Sequence, residues 1–280
     1  MITGTTELIA HLGYPTAVFK SPMIYNPYFE HKGIDAVVVP MGVLPPDYPA
    51  FVKSLFRLTN IRGALVTMPH KIATVALMDE VSTAVKVAGS CNAILRRADG
   101  TLFGDLFDGA GFVRGLRRKQ FRFAGATCLV VGSGGVGSAI AAALAAEGVA
   151  EIALADSNAA AAEGLAARLR VHYPGVAVRL AAAALTPDPS GFSLVVNATP
   201  MGMNEGDPLP FDVARLSPAT FVGEVVMRED VTPLLQAAQA LGCRYQVGSD
   251  MLFEQIPAYL EFFGYGTTTP EELRRHAGQA

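Results

Sequence analysis

Residues 127–156 read TCLVVGSGGVGSAIAAALAAEGVAEIALAD, and this stretch carries the strongest structural signal in the chain. A short apolar run at 128–131 leads into the glycine-rich turn GSGGVG at 132–137. An alanine-rich segment follows, and a second apolar run ends in Asp156. This order of strand, glycine-rich turn, helix, strand and acid is typical of a βαβ unit that binds a dinucleotide.

The glycines of the turn have separate expected roles. Gly132 makes the tight turn, Gly134 lets the backbone approach a pyrophosphate, and Gly137 allows the helix and strand to pack closely. The N-terminus of the helix then offers unpaired N–H groups and a partial positive charge to the phosphates. The alternative is a βα turn whose glycines serve packing alone. The predicted cofactor contacts in this stretch are Gly132, Ser133, Gly134, Gly135, Val136, Gly137 and Asp156.

Length and composition favour a folded α/β protein. The chain has 280 residues, of which 51% are hydrophobic and 17% charged, so it can bury a sizeable core in one large or two modest domains. Strand and helix patterns alternate along it, which indicates parallel sheets. The net charge of −3, with no basic cluster interleaved with aromatics, argues against a nucleic-acid partner.

The cysteines and the chain ends suggest a cellular setting. Cys91, Cys128 and Cys243 show no CxxC spacing, and an odd, unpaired set suits a reducing compartment. The first residues lack a basic region followed by an apolar core, and no apolar run reaches the roughly 20 residues of a membrane span. We therefore expect a cytoplasmic protein without a membrane partner. The five histidines show no metal spacing, so no metal is expected.

Two α/β domains are predicted. A substrate-binding domain would cover residues 1–108, a Rossmann-type dinucleotide-binding domain 109–248, and residues 249–280 would pack back on the first domain through a C-terminal helix. In the first domain Pro40 is expected to stop a strand, and Asp99-Gly100 to join two strands as a hairpin. The predicted first-domain strands are 8–11, 36–39, 63–67, 91–96 and 101–104, and the helices are 21–31, 46–60 and 70–78.

Two residues of this part of the chain could assist hydride transfer, which needs a proton donor at the forming alkoxide. Lys71 follows Pro69 at a helix N-terminus, where the helix dipole disfavours a second positive charge. Asp108 stands at a loop-to-helix junction. Taken alone, each has a simpler reading, Lys71 as a surface lysine and Asp108 as a helix N-cap.

The order of the remaining motifs resembles the shikimate and quinate dehydrogenases over nearly the whole chain. The similarity includes the family's opening GxP and SP segments, its NVTxPxK, GAxNT and GxNTDGxG segments, the cofactor turn, and the NATxxGM, TPLL and MLxxQ segments. The matching stretches here are Gly13-Tyr14-Pro15, Ser21-Pro22 with Asn26, 65–71, 89–93, 104–111, 132–137, 197–203, 232–235 and 251–255.

The resemblance implies roles for individual residues. Lys71 and Asp108 would be the catalytic pair. Lys71 would protonate the alkoxide, or accept the proton during oxidation, and Asp108 would hydrogen-bond the same hydroxyl and orient Lys71. The substrate would contact Thr67, Asn92 and Gln255, and Ser21 would hold a carboxylate. The cofactor would be lined by Asn197, Ala198, Thr199, Met203 and Gly248. The implied partner is a cyclic hydroxy or keto acid, and a monomer and a homodimer both remain open.

The chain departs from the family pattern where the substrate would bind. Phe19 replaces a serine of the carboxylate grip, and Leu65 replaces the asparagine before Val66-Thr67. Leu106-Phe107 replaces Asn-Thr, and Met227 stands where a tyrosine is expected. Unpaired substrate hydroxyls would cost about 1–3 kcal/mol each, so we expect a less hydroxylated or bulkier ring than shikimate. Three cations, Lys20, Arg62 and Arg228, could replace the lost carboxylate contacts.

The segment after the second strand of the βαβ unit bears on cofactor choice. NADP-using members carry Asn-Arg-Thr there, whereas this chain has Asp156-Ser157-Asn158. A carboxylate accepts hydrogen bonds from a free ribose diol and repels a 2′-phosphate. We therefore predict NAD, with NADP as the less favoured cofactor.

Two alternatives stay open at this point. The chain could be a true shikimate or quinate dehydrogenase that tolerates the substitutions, or a non-catalytic sensor of cofactor and metabolite with the same fold. The presence of both Lys71 and Asp108 argues against the sensor. His70, next to Lys71, could shuttle protons or simply start a helix at the rim of the site, and the second reading is preferred.

Overall fold

The computed structural model describes residues 2–181 and 186–277, which form two compact units. One unit comprises Met1–Phe107 and Ile256–Ala280, and the other comprises Asp108–Gln255. The chain therefore changes unit between Phe107 and Asp108, and it returns to the first unit at Ile256. Both units are α/β, as the sequence predicts.

The strands and helices alternate along the chain. The strands are β1 (Glu7–Gly13), β2 (Ala36–Gly42), β3 (Ile61–Val66), β4 (Glu80–Val81), β5 (Ala93–Arg96), β6 (Leu102–Asp105), β7 (Thr127–Val131), β8 (Glu151–Ala155), β9 (Ala177–Leu180), β10 (Leu194–Asn197), β11 (Phe221–Glu224) and β12 (Arg244–Gln246). The helices are α1 (Ser21–Lys32), α2 (Tyr48–Leu55), α3 (Lys71–Val75), α4 (Thr83–Ala88), α5 (Asp108–Arg118), α6 (Gly135–Ala146), α7 (Ala159–His172), α8 (Pro233–Ala240), α9 (Gly248–Phe263) and α10 (Pro270–His276).

The first unit is built on a mixed six-stranded sheet of order β2-β1-β3-β5-β6-β4. Strand β1 pairs in parallel with both β2 and β3, whereas β3–β5 and β5–β6 are antiparallel. The β5–β6 pair is the hairpin predicted from Asp99-Gly100. Apolar residues of β1 and β3 pack against α2, including Leu12, Tyr48, Val52 and Val66. This packing holds the loops after β1 and β3 in place.

Strand β2 does not end at Pro40, contrary to the sequence expectation. It continues to Gly42, and Pro40 lies opposite His11 in the ladder with β1. β2 is the edge strand of its sheet. A proline is tolerated there because the N–H it lacks would face away from the only neighbouring strand.

Helix α4 was not predicted, and two predicted helices are shorter than expected. α4 begins at an N-cap, Ser82, whose hydroxyl accepts a hydrogen bond from Val85 N, and it ends at Gly89 with φ of 69°. This is a short helix with ordinary capping at both ends. Helix α2 covers Tyr48–Leu55 instead of 46–60, and α3 covers Lys71–Val75 instead of 70–78.

The second unit has a fully parallel sheet of order β12-β11-β10-β7-β8-β9. Read from β7, this is the doubly wound order in which the direction of winding reverses between β7 and β10. Ligands of such sheets bind beyond the carboxyl ends of the strands at this reversal. The apolar residues of the central strands are buried, including Leu129, Val195 and Val222. The chain order therefore predicts where a dinucleotide would bind.

No helix within the described residues is both long and apolar enough to cross a lipid bilayer.

Candidate active site

The glycine-rich turn lies at the point where the winding of the second sheet reverses. Gly132 follows β7 with φ of 103°, a conformation that favours glycine. A side chain there would also meet the backbone of the neighbouring β10 loop, since an added Cβ would lie 2.7 Å from Ala198 O. Ala198 N donates to Val131 O at 2.8 Å, which ties the two strand ends together.

Two further glycines of the motif, Gly134 and Gly137, differ in their surroundings. Gly134 is the N-cap of α6, and no atom lies within 4 Å of the position a Cβ would take. Gly137, in contrast, packs so closely on Gly132 O that a Cβ would overlap that oxygen. Gly134 therefore leaves open space beside the helix N-terminus, where phosphate oxygens would bind, and Gly137 closes the helix onto the strand.

The acid at the end of β8 is joined to the glycine-rich turn. One carboxylate oxygen of Asp156 accepts a hydrogen bond from Ser133 N at 2.6 Å, and the other accepts one from Asn158 N at 2.7 Å. Asp156 is half-buried. Each carboxylate oxygen can accept further bonds, so the group remains able to receive the hydroxyls of a ribose.

Asn197 at the end of β10 is fully buried and bonded to protein groups. Its amide N–H groups donate to Met201 O at 3.0 Å and to Glu224 Oε1 at 2.8 Å. Its Oδ1 accepts from the N–H and the hydroxyl of Thr199. Glu224 also accepts a short hydrogen bond from the hydroxyl of Thr232, and burial raises the pKa of Glu224. Asn197 thus shapes the loop that follows β10.

The remaining candidate cofactor residues lie on the loops and helix starts of the same unit. Ala198 and Thr199 are half-buried on the β10 loop, and Met203, further along it, is 57% exposed. Gly248 begins α9, and a Cβ there would overlap Val226 O. The turn residues Gly135 and Val136 form the first turn of α6. The Ser133 hydroxyl is buried without a hydrogen-bond partner among the described residues.

Two further predicted residues belong to the second unit. Asp108 is the first residue of α5 and is 5% exposed. Gln255 lies on α9, which packs tightly against α5 at Gly111, where an added Cβ would lie 2.7 Å from Gln255 Cβ. Gln255 Oε1 is buried and has no hydrogen-bond partner among the described residues. A buried amide oxygen of this kind is available to a ligand donor.

In the first unit, the loops after β1 and β3 are packed together. Tyr14 N donates to Met68 O at 3.1 Å, and Thr67 N donates to Leu12 O at 2.9 Å. The loops approach so closely that a Cβ on Gly13 would lie 2.5 Å from Thr67 Cγ2. Lys71, the first residue of α3, follows this junction and is half-buried.

Asn92, just before β5, is bonded both to the end of β3 and to the backbone that follows β6. It is 1% exposed, and its Oδ1 accepts a hydrogen bond from Phe107 N at 2.9 Å. Its carbonyl accepts bonds from Val66 N at 2.8 Å and from the Tyr259 hydroxyl at 3.2 Å. Asn92 therefore fixes the backbone at Phe107.

His11 is a residue that the sequence analysis did not single out. It lies on β1 opposite Leu65, it is 7% exposed, and its ring stacks on Phe19 with centroids 4.0 Å apart. Burial, and secondarily the charge of Lys71, lower the pKa of His11 to about 4. Its Nδ1 has no hydrogen-bond partner among the described residues. A histidine within the apolar run from Leu8 to Leu12 is the signal that could have identified it.

The apolar substitutions of the first unit differ in exposure. Leu65 and Leu106 are each 3% exposed and belong to the core. Phe107 is half-buried and packs edge-on against Tyr259 and Phe262, with centroids 4.8 and 5.2 Å away. Ser21 begins α1 and is half-buried. Phe19 and Phe107 are thus the two substitutions that leave an accessible apolar surface in this unit.

His70 is the N-cap of α3, as the preferred reading expects, but it lies in the core and not at a rim. It is 1% exposed, its ring stacks on Tyr48 at 3.9 Å, and its Nε2–H donates to Val43 O at 2.8 Å. Because a carbonyl can only accept, this bond fixes the tautomer of the ring. The histidine is a core residue that supports the start of α3.

Of the three cations considered for the carboxylate, one is already engaged. Arg62 Nε donates to Phe263 O at 2.7 Å. Lys20 and Arg228 are exposed. Met227, at the position where a tyrosine was expected, is 56% exposed.

Comparisons with known proteins agree with this architecture. Residues 12–94 match the family model described as the shikimate dehydrogenase substrate binding domain. The shikimate dehydrogenase (NADP(+)) of Rubrobacter xylanophilus is 35% identical over 258 residues, which cover 91% of this chain and 89% of that protein.

Solved structures are similar over nearly the full length. The ligand-free 5-ketofructose reductase of Gluconobacter sp. strain CHM43 has a TM-score of 0.90 at 25% identity and covers 98% of this chain and 99% of its own. The shikimate 5-dehydrogenase of Listeria monocytogenes in complex with shikimate and NAD has a TM-score of 0.89 at 26% identity. That match covers 98% of this chain and 97% of its own.

Proposed function

We propose that this chain, which belongs to the shikimate dehydrogenase family, reversibly transfers a hydride between a nicotinamide dinucleotide and a ring hydroxyl or ketone of an acid related to shikimate or quinate. As a member of that family it is an NAD(P)-dependent oxidoreductase acting on CH–OH groups. The observation that supports cofactor binding best is the open space at Gly134, beside the N-terminus of α6.

Lys71 and Asp108 are the proposed catalytic pair. Reduction of a ketone leaves an alkoxide that must take a proton, and oxidation of the alcohol must release one. A lysine ammonium can supply this proton, and a carboxylate can accept a hydrogen bond from the same hydroxyl. The roles follow from the resemblance of both motifs. The burial of both residues supports these roles. Lys71 is half-buried and Asp108 is 5% exposed, whereas a lysine or aspartate with no role beyond the surface is usually solvent-exposed.

The substrate is proposed to be less hydroxylated, or bulkier, than shikimate. The position of a carboxylate-binding serine is filled by Phe19, whose ring lies against His11 and close to Gly13. The loops after β1 and β3 and the start of α3 also expose large apolar side chains, with Tyr14 53%, Met68 74% and Ile72 74% exposed. Such surroundings leave hydroxyls of a polyhydroxylated acid without partners, at a cost of about 1–3 kcal/mol each.

A neutral hydroxyketone is a second candidate substrate. The filled carboxylate position at Phe19 favours it, because a substrate without a carboxylate loses nothing there. The similar Gluconobacter enzyme is named for 5-ketofructose, a compound without a carboxylate. His11 is neutral, and its Nδ1 has no hydrogen-bond partner among the described residues. This nitrogen could form one hydrogen bond with a hydroxyl or carbonyl of such a molecule.

NAD is the proposed cofactor, with NADP as the alternative. Asp156 keeps its carboxylate beside the turn, where a ribose 2′-phosphate would meet a negative charge. Relatives named as NADP(+) enzymes and a similar structure that holds NAD show that the family uses both. The preference therefore rests on Asp156 itself.

A substrate panel tests the proposal. Purified protein is assayed with NAD and NADP for oxidation of shikimate, quinate and a cyclohexene acid with fewer hydroxyls, and with NADH and NADPH for reduction of 5-ketofructose. We expect the highest kcat/KM with the NAD/NADH couple, for either the less hydroxylated acid or the neutral ketone. A highest value for shikimate would overturn the substrate proposal, and a clear preference for NADP would overturn the cofactor proposal.

A further inference from the structure

Three potential metal ligands converge at the C-terminal helix of the first unit. His31 lies in the last turn of α1, while Glu272 and His276 lie on α10. One ligand atom from each falls within 4.8 Å of the other two. None of these residues has a role in the proposed reaction.

The donor set suits a borderline transition metal. Two imidazole nitrogens and one carboxylate oxygen are the ligands of many open, three-residue Zn²⁺ sites. Glu272 and His276 are four residues apart, so both side chains lie on the same face of α10. We propose that His31, Glu272 and His276 bind a Zn²⁺-like divalent ion, which links α10 to α1.

The two helices are already packed together, so the ion does not have to bring them into contact. Leu273 is fully buried, and Thr269 caps α10 by accepting a hydrogen bond from Glu272 N. The imidazole rings of His31 and His276 stack with centroids 3.8 Å apart. Stacked rings direct their ring nitrogens along nearly parallel planes, so the stack opens by side-chain rotation before both nitrogens reach a Zn²⁺ ion at about 2.0–2.1 Å.

One lysine competes with the ion. Lys32 Nζ lies 2.6 Å from Glu272 Oε1, and the Thr268 hydroxyl donates to Glu272 Oε2 at 2.7 Å. Metal binding has to displace Lys32, whose positive charge also repels a cation. Removal of this charge should strengthen metal binding, whereas removal of a ligand should weaken it.

Isothermal titration of the untagged full chain with ZnCl₂ tests the site, with thermal unfolding as a second readout. We expect about one Zn²⁺ per chain and a higher Tm with the ion. His31→Gln and His276→Gln should each weaken binding by about 10–100-fold or more, since even loss of a supporting contact has this effect. Lys32→Gln should tighten it.

His172→Gln is the matched control, because His172 is an exposed histidine at the end of α7 in the other unit. It should leave Zn²⁺ affinity unchanged. Equal affinity of the wild-type chain and the His31→Gln/His276→Gln double variant would overturn the proposal, as would the absence of heat and of a Tm shift in the wild type. Circular dichroism of the double variant without metal confirms that it is folded, so a lost signal reports on binding.

Discussion

The ring of Phe19 lies nearly parallel to the ring of His11, with an interplanar angle of 23° and centroids 4.0 Å apart. The tip of the Phe19 ring also lies near Gly13, where an added Cβ would be 2.8 Å from Phe19 Cζ. An aromatic pair thus stands where the family resemblance implies a hydroxyl for a substrate carboxylate. The positive charge of Lys71 acts on this aromatic pair, since it is the second cause, after burial, of the lowered pKa of His11.

Phe19→Ser should restore part of a carboxylate site. A hydrogen bond to a charged group contributes about 1.5–3 kcal/mol, so kcat/KM for shikimate should rise by about tenfold or more relative to a neutral ketone. Steady-state kinetics with both substrates measure this ratio. Val18→Ser, at a 74% exposed neighbour, is the control and should leave the ratio unchanged. An unaltered ratio in Phe19→Ser would mean that this position does not contact the substrate.

Lys71→Ala should lower kcat by about 10²–10⁴-fold, the usual contribution of a positioned proton donor. Cofactor affinity should change little, because the cofactor residues belong to the other unit. Stopped-flow turnover and fluorescence titration with NADH separate these effects. Lys86→Ala removes an exposed lysine from α4 and should retain full activity. Retained turnover in Lys71→Ala would remove this lysine from the mechanism.

Asp156→Asn should shift cofactor preference toward NADP. The change removes the charge that would face a 2′-phosphate, and it keeps one acceptor for the N–H groups of Ser133 or Asn158. We expect the kcat/KM ratio of NADP to NAD to rise by about tenfold, equivalent to about 1.4 kcal/mol. Glu163→Gln removes an equal charge from the exposed face of α7 and should not alter the ratio. A constant ratio in Asp156→Asn would place cofactor selection elsewhere.

Two glycines of the cofactor turn, Gly134 and Gly137, should respond differently to alanine. Gly137→Ala introduces a methyl group that overlaps Gly132 O, so it should destabilise the chain by about 1–3 kcal/mol. Gly134→Ala meets open space and should leave the Tm close to that of the wild type, while NADH affinity falls because the methyl group occupies the phosphate position. Calorimetry and NADH titration of both variants check the pair. A wild-type affinity for NADH in Gly134→Ala would contradict the proposed phosphate position.

His11 should make stability depend on pH below neutrality. Its folded-state pKa of about 4 lies below the ordinary value of 6.5, so the unfolded chain binds the proton more readily. The stabilisation is complete above about pH 6.5 and is lost as the pH falls toward 4, with a maximum of about 3 kcal/mol. Urea unfolding at pH 7.5 and 5 should show a smaller loss for His11→Leu than for the wild type. His172→Gln should behave like the wild type, and an equal loss in His11→Leu would contradict this assignment.

Much of the second unit could be predicted because its signals are local. The turn at Gly132, the helix after Gly134 and the strand that ends before Asp156 follow from neighbouring residues, and the structure confirms them. Local signals also explain the hairpin of β5 and β6.

The errors arose where a contact between distant segments determines the outcome. β2 passes through Pro40 because of its place at the sheet edge, which no local pattern reveals. His11 faces Phe19 and Lys71 only after β1 and β3 are paired. Similarly, His31 comes close to Glu272 and His276 only in the folded chain, so spacing along the sequence did not group these three side chains. The shortened α2 and α3 reflect helix ends, where turn residues compete with helical ones.

Pro40 has a consequence beyond the course of its own strand. A free sheet edge offers a row of N–H and C=O groups that another chain can extend, and this is a common start of aggregation. A proline in the middle of β2 leaves a gap in the donors of that row. Pro40 therefore hinders the pairing of another strand with the exposed edge of the sheet.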